Sequence, residues 1–227
     1  MKIVITNDDG FGEPGLDALQ KILQTFGEVV VVAPKLPHSF AGHRVTLKED
    51  IPVEQVDSRK FVVDGAPADC TRLALKALAP DADWVVAGIN PGANLGTDIY
   101  QSGTVAAARE AAILRVRAIS ISQYVSRGGA IEWEHTRERA SGMISRLFRK
   151  ELRPGEYWNV NLPHPLKVSE PVDYAVCPLD LNAHDYFYVR DGDAYRYQGI
   201  MHERPRDVGG DVDVCFGGRV AVTKLSI

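Results

Sequence analysis

Two adjacent carboxylates, Asp8 and Asp9, stand in the polar run Thr6-Asn7-Asp8-Asp9-Gly10, directly after the apolar triplet Ile3-Val4-Ile5. Paired carboxylates on one turn can share a hard divalent cation with neutral oxygen donors. Gly10 and Gly12 let the backbone fold tightly there. Asn, Asp and Gly are also the ordinary residues of a surface turn, and the apolar strand in front is what favours a site. A second polar run, Pro34 to Arg44, follows the β-branched stretch Val29-Val30-Val31-Val32. Ser39 offers a hydroxyl oxygen to a cation, and His43 and Arg44 have the chemistry to meet phosphate. Alone, this run reads more readily as a solvated loop than as a site.

The third run is the most specific. Gly88 to Asp98 follows the strand-like Trp84-Val85-Val86-Ala87 and brings Asn90 and Asn94. Ser102-Gly103-Thr104 then opens an Ala-rich helical stretch. Such a turn aims backbone N–H groups and hydroxyls at the space above the helix start, a natural phosphate cradle. The same three residues also make a reasonable N-cap.

The elements that must position these runs alternate. Strands are expected at 3–5, 29–32, 84–87, 118–122 and 158–161, and helices at 15–26, 66–79, 104–114 and 131–149, from the change between continuous apolar runs and 3.6-residue spacing. Continuous β-branched strands are typical of a parallel sheet covered on both faces. The expected fold is therefore α/β, a three-layer Rossmann-like, mostly parallel sheet, with ligands at the carboxyl ends of its strands. From 166 onward helical periodicity fades, and strand-like pieces at 174–176, 186–189, 195–197 and 220–225 suggest a smaller β-rich C-terminal extension. Asp191-Gly192-Asp193 is a hairpin signal. The expected organisation is a catalytic core over 1–165 and, over 166–227, an oligomerisation arm with a returning strand.

The chain has 227 residues with 26 basic and 30 acidic side chains, a net charge of −4. That balance lacks the basic footprint for gripping a nucleic-acid polymer and points to a small anionic substrate. No run approaches the roughly 18 apolar residues of a membrane span, so no membrane partner is expected. Three cysteines, Cys70, Cys177 and Cys215, lack metal-type spacing and read as thiols in a reducing compartment. With an opening Met-Lys-Ile-Val-Ile-Thr that does not resemble a signal peptide, the expectation is the cytoplasm.

Taken in order, these motifs closely resemble the SurE family of nucleotidases. Beyond the runs above, the matches include Pro14-Gly15, Val32-Ala33-Pro34, Thr46, Gly65, Pro67, Asp69-Cys70, Asn94-Leu95-Gly96 with Asp98, Ser102 through Ala108 with Glu110, Asn159-Val160-Asn161-Pro163 and Thr223. The resemblance implies a metal-dependent phosphatase acting on nucleoside 5′- and 3′-monophosphates, and in some members on short polyphosphate. It implies one Mg²⁺ or Mn²⁺ per subunit held by Asp8, Asp9, Ser39 and Asn94. Asn7, Asn90, Ser102, Gly103 and Thr104 would surround the phosphate, with His43 a further contact or acid to the leaving oxygen. Asp8, Asp9, Asn7 and Asn90 would be the catalytic group. Either water or one of the aspartates is the nucleophile. The expected assembly is a homodimer or homotetramer, although the chain ends at Ile227, where many members continue into a helical segment. Phe40 stands where the family usually has Gly, Tyr100-Gln101 replaces an apolar-Tyr pair, and Ala111 follows Glu110 in place of Gly.

Other classes fit less well. A receiver domain needs a phosphoacceptor Asp and a distal Lys at later strand ends, and haloacid-dehalogenase-type phosphatases need Asp-x-Asp. A nucleotide-binding sensor on the same fold, without turnover, remains the alternative.

Overall fold

A computed structural model describes residues 1–165, 173–184, 186–199 and 203–227. The first residues of the expected C-terminal segment, 166–172, lie outside them.

Strands and helices largely alternate as far as residue 162. The strands are β1 (Lys2–Thr6), β2 (Glu28–Pro34), β3 (Val53–Asp57), β4 (Lys60–Val63), β5 (Trp84–Pro91), β6 (Arg117–Gln123) and β7 (Glu156–Leu162). Between them lie α1 (Pro14–Leu23), α2 (Pro67–Leu73), α3 (Gly103–Ile113) and α4 (Trp133–Leu147). After them come β8 (Tyr174–Val176), β9 (Tyr188–Asp191), β10 (Ala194–Tyr197), α5 (Asp211–Phe216) and β11 (Val220–Ser226). One sheet takes nine strands in the order β3-β4-β2-β1-β5-β6-β7-β11-β8. The run β4-β2-β1-β5-β6-β7 is parallel throughout, whereas β3 and β11 join antiparallel. The expected α/β fold with a mostly parallel sheet is what forms. The C-terminal strands β8 and β11 extend the main sheet, while β9 and β10 make a separate two-stranded hairpin.

Alternation along the strands splits the core into two layers. Ile3 and Ile5 pack with Leu16, Leu19, Ile22 and Leu23 of α1 and with Met143, Ile144 and Leu147 of α4. Val4, Val30 and Val32 face the other way, onto Cys70 of α2 and onto Val105, Ala108, Ala111 and Ala112 of α3. The small side chains of α3 allow it to sit buried against β5, β6 and α2 at once. Gly15 marks a similar close approach: a Cβ there would lie 2.0 Å from the carbonyl oxygen of Ile89, so α1 can cross β5 only with glycine at that point.

Several elements depart from expectation. β3 and β4 form where no strand is expected: β3 is wholly exposed at the sheet edge and β4 is only four residues long. The helix expected over 66–79 ends as α2 at Leu73 and continues as a π-helical turn, Ala74–Leu78. β5 runs on to Pro91, so Asn90 sits on the strand end and not in the following loop. α5 lies in the segment where helical periodicity fades, because six residues are too few to display a period.

The chain order fixes where a ligand can reach. From β1 the chain moves outward to β2 and β4, then returns by α2 to β5 on the other side of β1. The gap between the carboxyl ends of β1 and β5 is thus the topological switch point, the usual place for ligands in such sheets.

Candidate active site

Asp8 and Asp9 extend from the carboxyl end of β1 into a cavity of about 340 Å³. Ser39 and Phe40 from the loop after β2 form another side of it, and Asn90 to Asn94 at the end of β5 a third. Asp98, Gln101, Ser102, Tyr124 and Val125 complete the wall. The loops are tied to each other through the backbone. Asp8 accepts from His38 N at 2.7 Å, Pro34 from Phe11 N at 2.8 Å, and Gln101 from Gly42 N at 3.0 Å.

The buried carboxylate of Asp8 accepts hydrogen bonds from the Thr104 hydroxyl and from the backbone N–H groups of Gly103 and Thr104. Burial raises the Asp8 pKa, and these hydrogen bonds oppose the rise without cancelling it. Asp9 is pushed up to about 7 by burial first, then by the charges of Asp8 and Glu13. Gly103 is required by this packing, since a Cβ there would stand 2.7 Å from Asp8 Cβ. The start of α3, read from sequence as a phosphate cradle, is therefore filled by Asp8. Gly103 and Thr104 address that carboxylate and are not among the residues lining the cavity. Ser102 does line it. Its Oγ accepts from Val105 N at 3.1 Å, which caps α3 and leaves the hydroxyl proton free to donate.

Asn7 and His43 are not among the residues lining the cavity. Asn7 is fully buried, and its amide donates to the Gly10 carbonyl at 2.8 Å, holding the Asp8-Asp9 turn. The cavity lining does not include it. His43 Nε2 lies 2.7 Å from Glu110 Oε2, with Arg109 Nη1 3.3 Å from its Nδ1, outside the lining. Glu110 also accepts from Arg72 Nε at 2.6 Å. Burial would raise the Glu110 pKa, but the hydrogen bonds from His43 and Arg72 and the charge of Arg72 hold it below the ordinary carboxylate range. His43 is thereby part of a half-buried polar cluster beside the site, centred on the buried Glu110.

Asn94 is the most tightly held of the proposed ligands. Its amide nitrogen donates to Ser122 Oγ at 2.7 Å, and its backbone N–H to Asn161 Oδ1 at 2.8 Å. Its backbone carbonyl accepts from Asn159 Nδ2 at 2.9 Å and from Asn161 Nδ2 at 3.0 Å. With its nitrogen committed, the remaining end of the Asn94 side chain is a neutral carbonyl oxygen. Ser122 and the two asparagines have no role in the expectations from sequence. Their signal is polar side chains at alternate positions of otherwise apolar strands: Ser120 and Ser122 of β6 pair with Asn159 and Asn161 of β7.

Asp98 shares the wall but is neutralised. Arg204 Nη1 lies 2.5 Å and His184 Nε2 2.7 Å from its carboxylate oxygens. No lysine, arginine or histidine lines the cavity among the described residues, so nothing in the wall balances Asp8 and Asp9.

Over residues 3–184 the chain matches the family described as survival protein SurE. The chain belongs to the SurE family. A Synechocystis sp. protein, whose name gives a 5′-nucleotidase activity only provisionally, is 42% identical over 227 residues, covering both chains in full. The "5′-nucleotidase SurE" of Myxococcus xanthus is 37% identical over 232 residues, covering 99% of this chain and 87% of that protein. The crystal structure of SurE from Aquifex aeolicus superposes with a TM-score of 0.88 at 31% identity, over 100% of this chain and 93% of that one. No helix among the described residues is long and apolar enough to cross a membrane.

Proposed function

We propose that this SurE-family chain is a cation-dependent phosphatase that hydrolyses nucleoside 5′-monophosphates to nucleoside and inorganic phosphate. The observation that carries the reading is the charge imbalance of the cavity: besides the ion-paired Asp98, two carboxylates, Asp8 and Asp9, face it with no cationic side chain in the described lining. Two aspartates with the Ser39 hydroxyl and the Asn94 carbonyl form an all-oxygen donor set, which fits a hard ion such as Mg²⁺ or Mn²⁺. Asp8, Asp9, Ser39 and Asn94 would hold it. When bound, such an ion polarises the phosphoryl group and offsets charge developing on its oxygens. The 5′-nucleotidase names of relatives support the substrate class.

The protein's own groups then have distinct tasks. The Ser102 hydroxyl is poised to donate to a phosphate oxygen. The Asn90 amide is steadied by donating to the Gly92 carbonyl at 2.7 Å, which leaves a second N–H for the substrate. Donors preset in this way stabilise developing charge without reorganising. A water oxygen bonds to phosphorus as the ester P–O bond breaks, and the leaving oxygen takes a proton to become the nucleoside hydroxyl. Nucleoside 3′-monophosphates and short polyphosphates present the same terminal phosphate to the same donors.

Inorganic phosphate release from nucleoside 5′- and 3′-monophosphates, with Mg²⁺ or Mn²⁺ and with EDTA, tests this reading. Release that needs the ion and stops with EDTA is expected. Release unaffected by EDTA counts against the cation, and tight nucleotide binding without release would make the chain a sensor.

The assembly we propose is a homodimer or homotetramer joined through the β9–β10 hairpin. Every residue of both strands is exposed, Tyr188, Tyr195 and Tyr197 among them, and a lone two-stranded ribbon is marginal in water. Sedimentation at micromolar concentration is expected to show an oligomer, and a monomer there would refute it. Cys70, Cys177 and Cys215 are all free and buried, which suits a reducing compartment and our assignment to the cytoplasm.

A further inference from the structure

Phe40 carries two costs that no packing among the described residues repays. Its φ is 58°, in the left-handed region that bulky L-residues rarely adopt. Its side chain is 84% exposed, and it belongs to none of the packed apolar clusters. Yet it follows Ser39 directly and lines the cavity that holds Asp8 and Asp9. Strained backbone persists where a function over-determines it. Tyr124, the other aromatic residue of the lining, is 8% exposed with its ring 4.7 Å from that of Phe216, so it is committed to the wall. Among the described residues no ring stacks on Phe40.

Resting on the nucleotidase reading above, we infer that Phe40 is the platform on which the nucleobase of the substrate stacks. A free aromatic face at the rim of a phosphate-handling cavity selects a ligand with an anionic end and a flat end. Consecutive Cα atoms are about 3.8 Å apart, so a phosphate beside Ser39 and a base on Phe40 lie within the span of one nucleoside monophosphate. Base–aromatic stacking is tolerant of sequence because every base has a π face. The enzyme therefore separates nucleotides from sugar phosphates while discriminating little among the four bases.

The test compares AMP with ribose 5-phosphate, which has the same phosphoester and no base. Phe40→Ala is expected to raise KM for AMP about tenfold, the effect of losing one base stack, and to leave ribose 5-phosphate unchanged. Phe40→Trp restores the preference. Both variants are expected to melt close to the wild type, because the ring is exposed and joins no apolar cluster among the described residues. A parallel loss on both substrates, or no loss on either, overturns the inference. If the wild type hydrolyses neither compound, the nucleotidase reading fails separately. Calorimetric binding then decides about Phe40: AMP binding weakened in Phe40→Ala with ribose 5-phosphate unaffected supports the platform, and equal binding of AMP by wild type and variant removes it.

Discussion

Replacing Asp9 by Asn is expected to remove phosphate release by about 10³-fold or more, while raising the melting temperature of the cation-free protein at pH 8. The loss follows from the chemistry: a bound ion contributes several kcal/mol of transition-state stabilisation, and about 1.4 kcal/mol is a factor of ten. The stability gain follows from the sign of the Asp9 shift. Burial and the neighbouring charges of Asp8 and Glu13 lift its pKa from 3.8 to about 7. A raised carboxyl pKa means that the folded state holds the proton more tightly than the unfolded one. Stability therefore falls as pH rises from the unfolded value toward 7, and stays lower above it. Asn carries no such penalty, so the variant's advantage should be absent below about pH 4 and full above pH 7. Proton and cation compete for the same carboxylate, so Mn²⁺ affinity of the wild type should rise with pH up to about 7 and then level off. Asp8→Asn should lose activity as well, since it also disturbs the contacts with Thr104 and Gly103. Thermal melts with EDTA from pH 4 to 8, beside phosphate release, decide the matter. A fully active Asp9→Asn variant would sink the assignment of Asp9 as a ligand.

The alternation of strands and helices was legible because each layer leaves a local trace. Continuous runs such as Val29 to Val32 mark strands buried on both faces, and α1 shows its apolar stripe at Leu16, Leu19, Ile22 and Leu23. What escaped were elements whose stabilisation is non-local. β3 has no buried face to write into its sequence, and α5 is too short to show a period. The site divides along the same line. Asp8, Asp9, Ser39, Asn90, Asn94 and Ser102 could be named because loops at strand ends carry polar residues that packing does not require, and the structure gathers all six around one cavity. The partners of each were out of reach. That Asp8 fills the start of α3, and that His43 turns to Glu110, depend on contacts across 96 and 67 positions of chain. A helix start rich in donors looks the same in sequence whether a phosphate or a carboxylate occupies it.

Asn161→Ala should weaken the site although Asn161 lies outside the cavity lining. Asn161 is buried, accepts from the Asn94 N–H and donates to the Asn94 carbonyl. Removing it leaves a buried N–H without its acceptor, at about 1–3 kcal/mol, while Asn159 still serves the carbonyl. The more telling effect is on Asn94 itself. Groups behind a metal ligand fix its orientation, and losing one typically lowers affinity by about 10–100-fold. Ser122→Ala separates the two contributions: it removes the acceptor that commits the Asn94 amide nitrogen and leaves the backbone bonds in place. Its expected result is weaker Mn²⁺ binding by calorimetric titration, with less loss in urea unfolding with EDTA than Asn161→Ala shows. If both variants bind Mn²⁺ as the wild type does and differ only in unfolding, the ladder across β6 and β7 serves the fold alone, and Asn94 does not need it to present its oxygen.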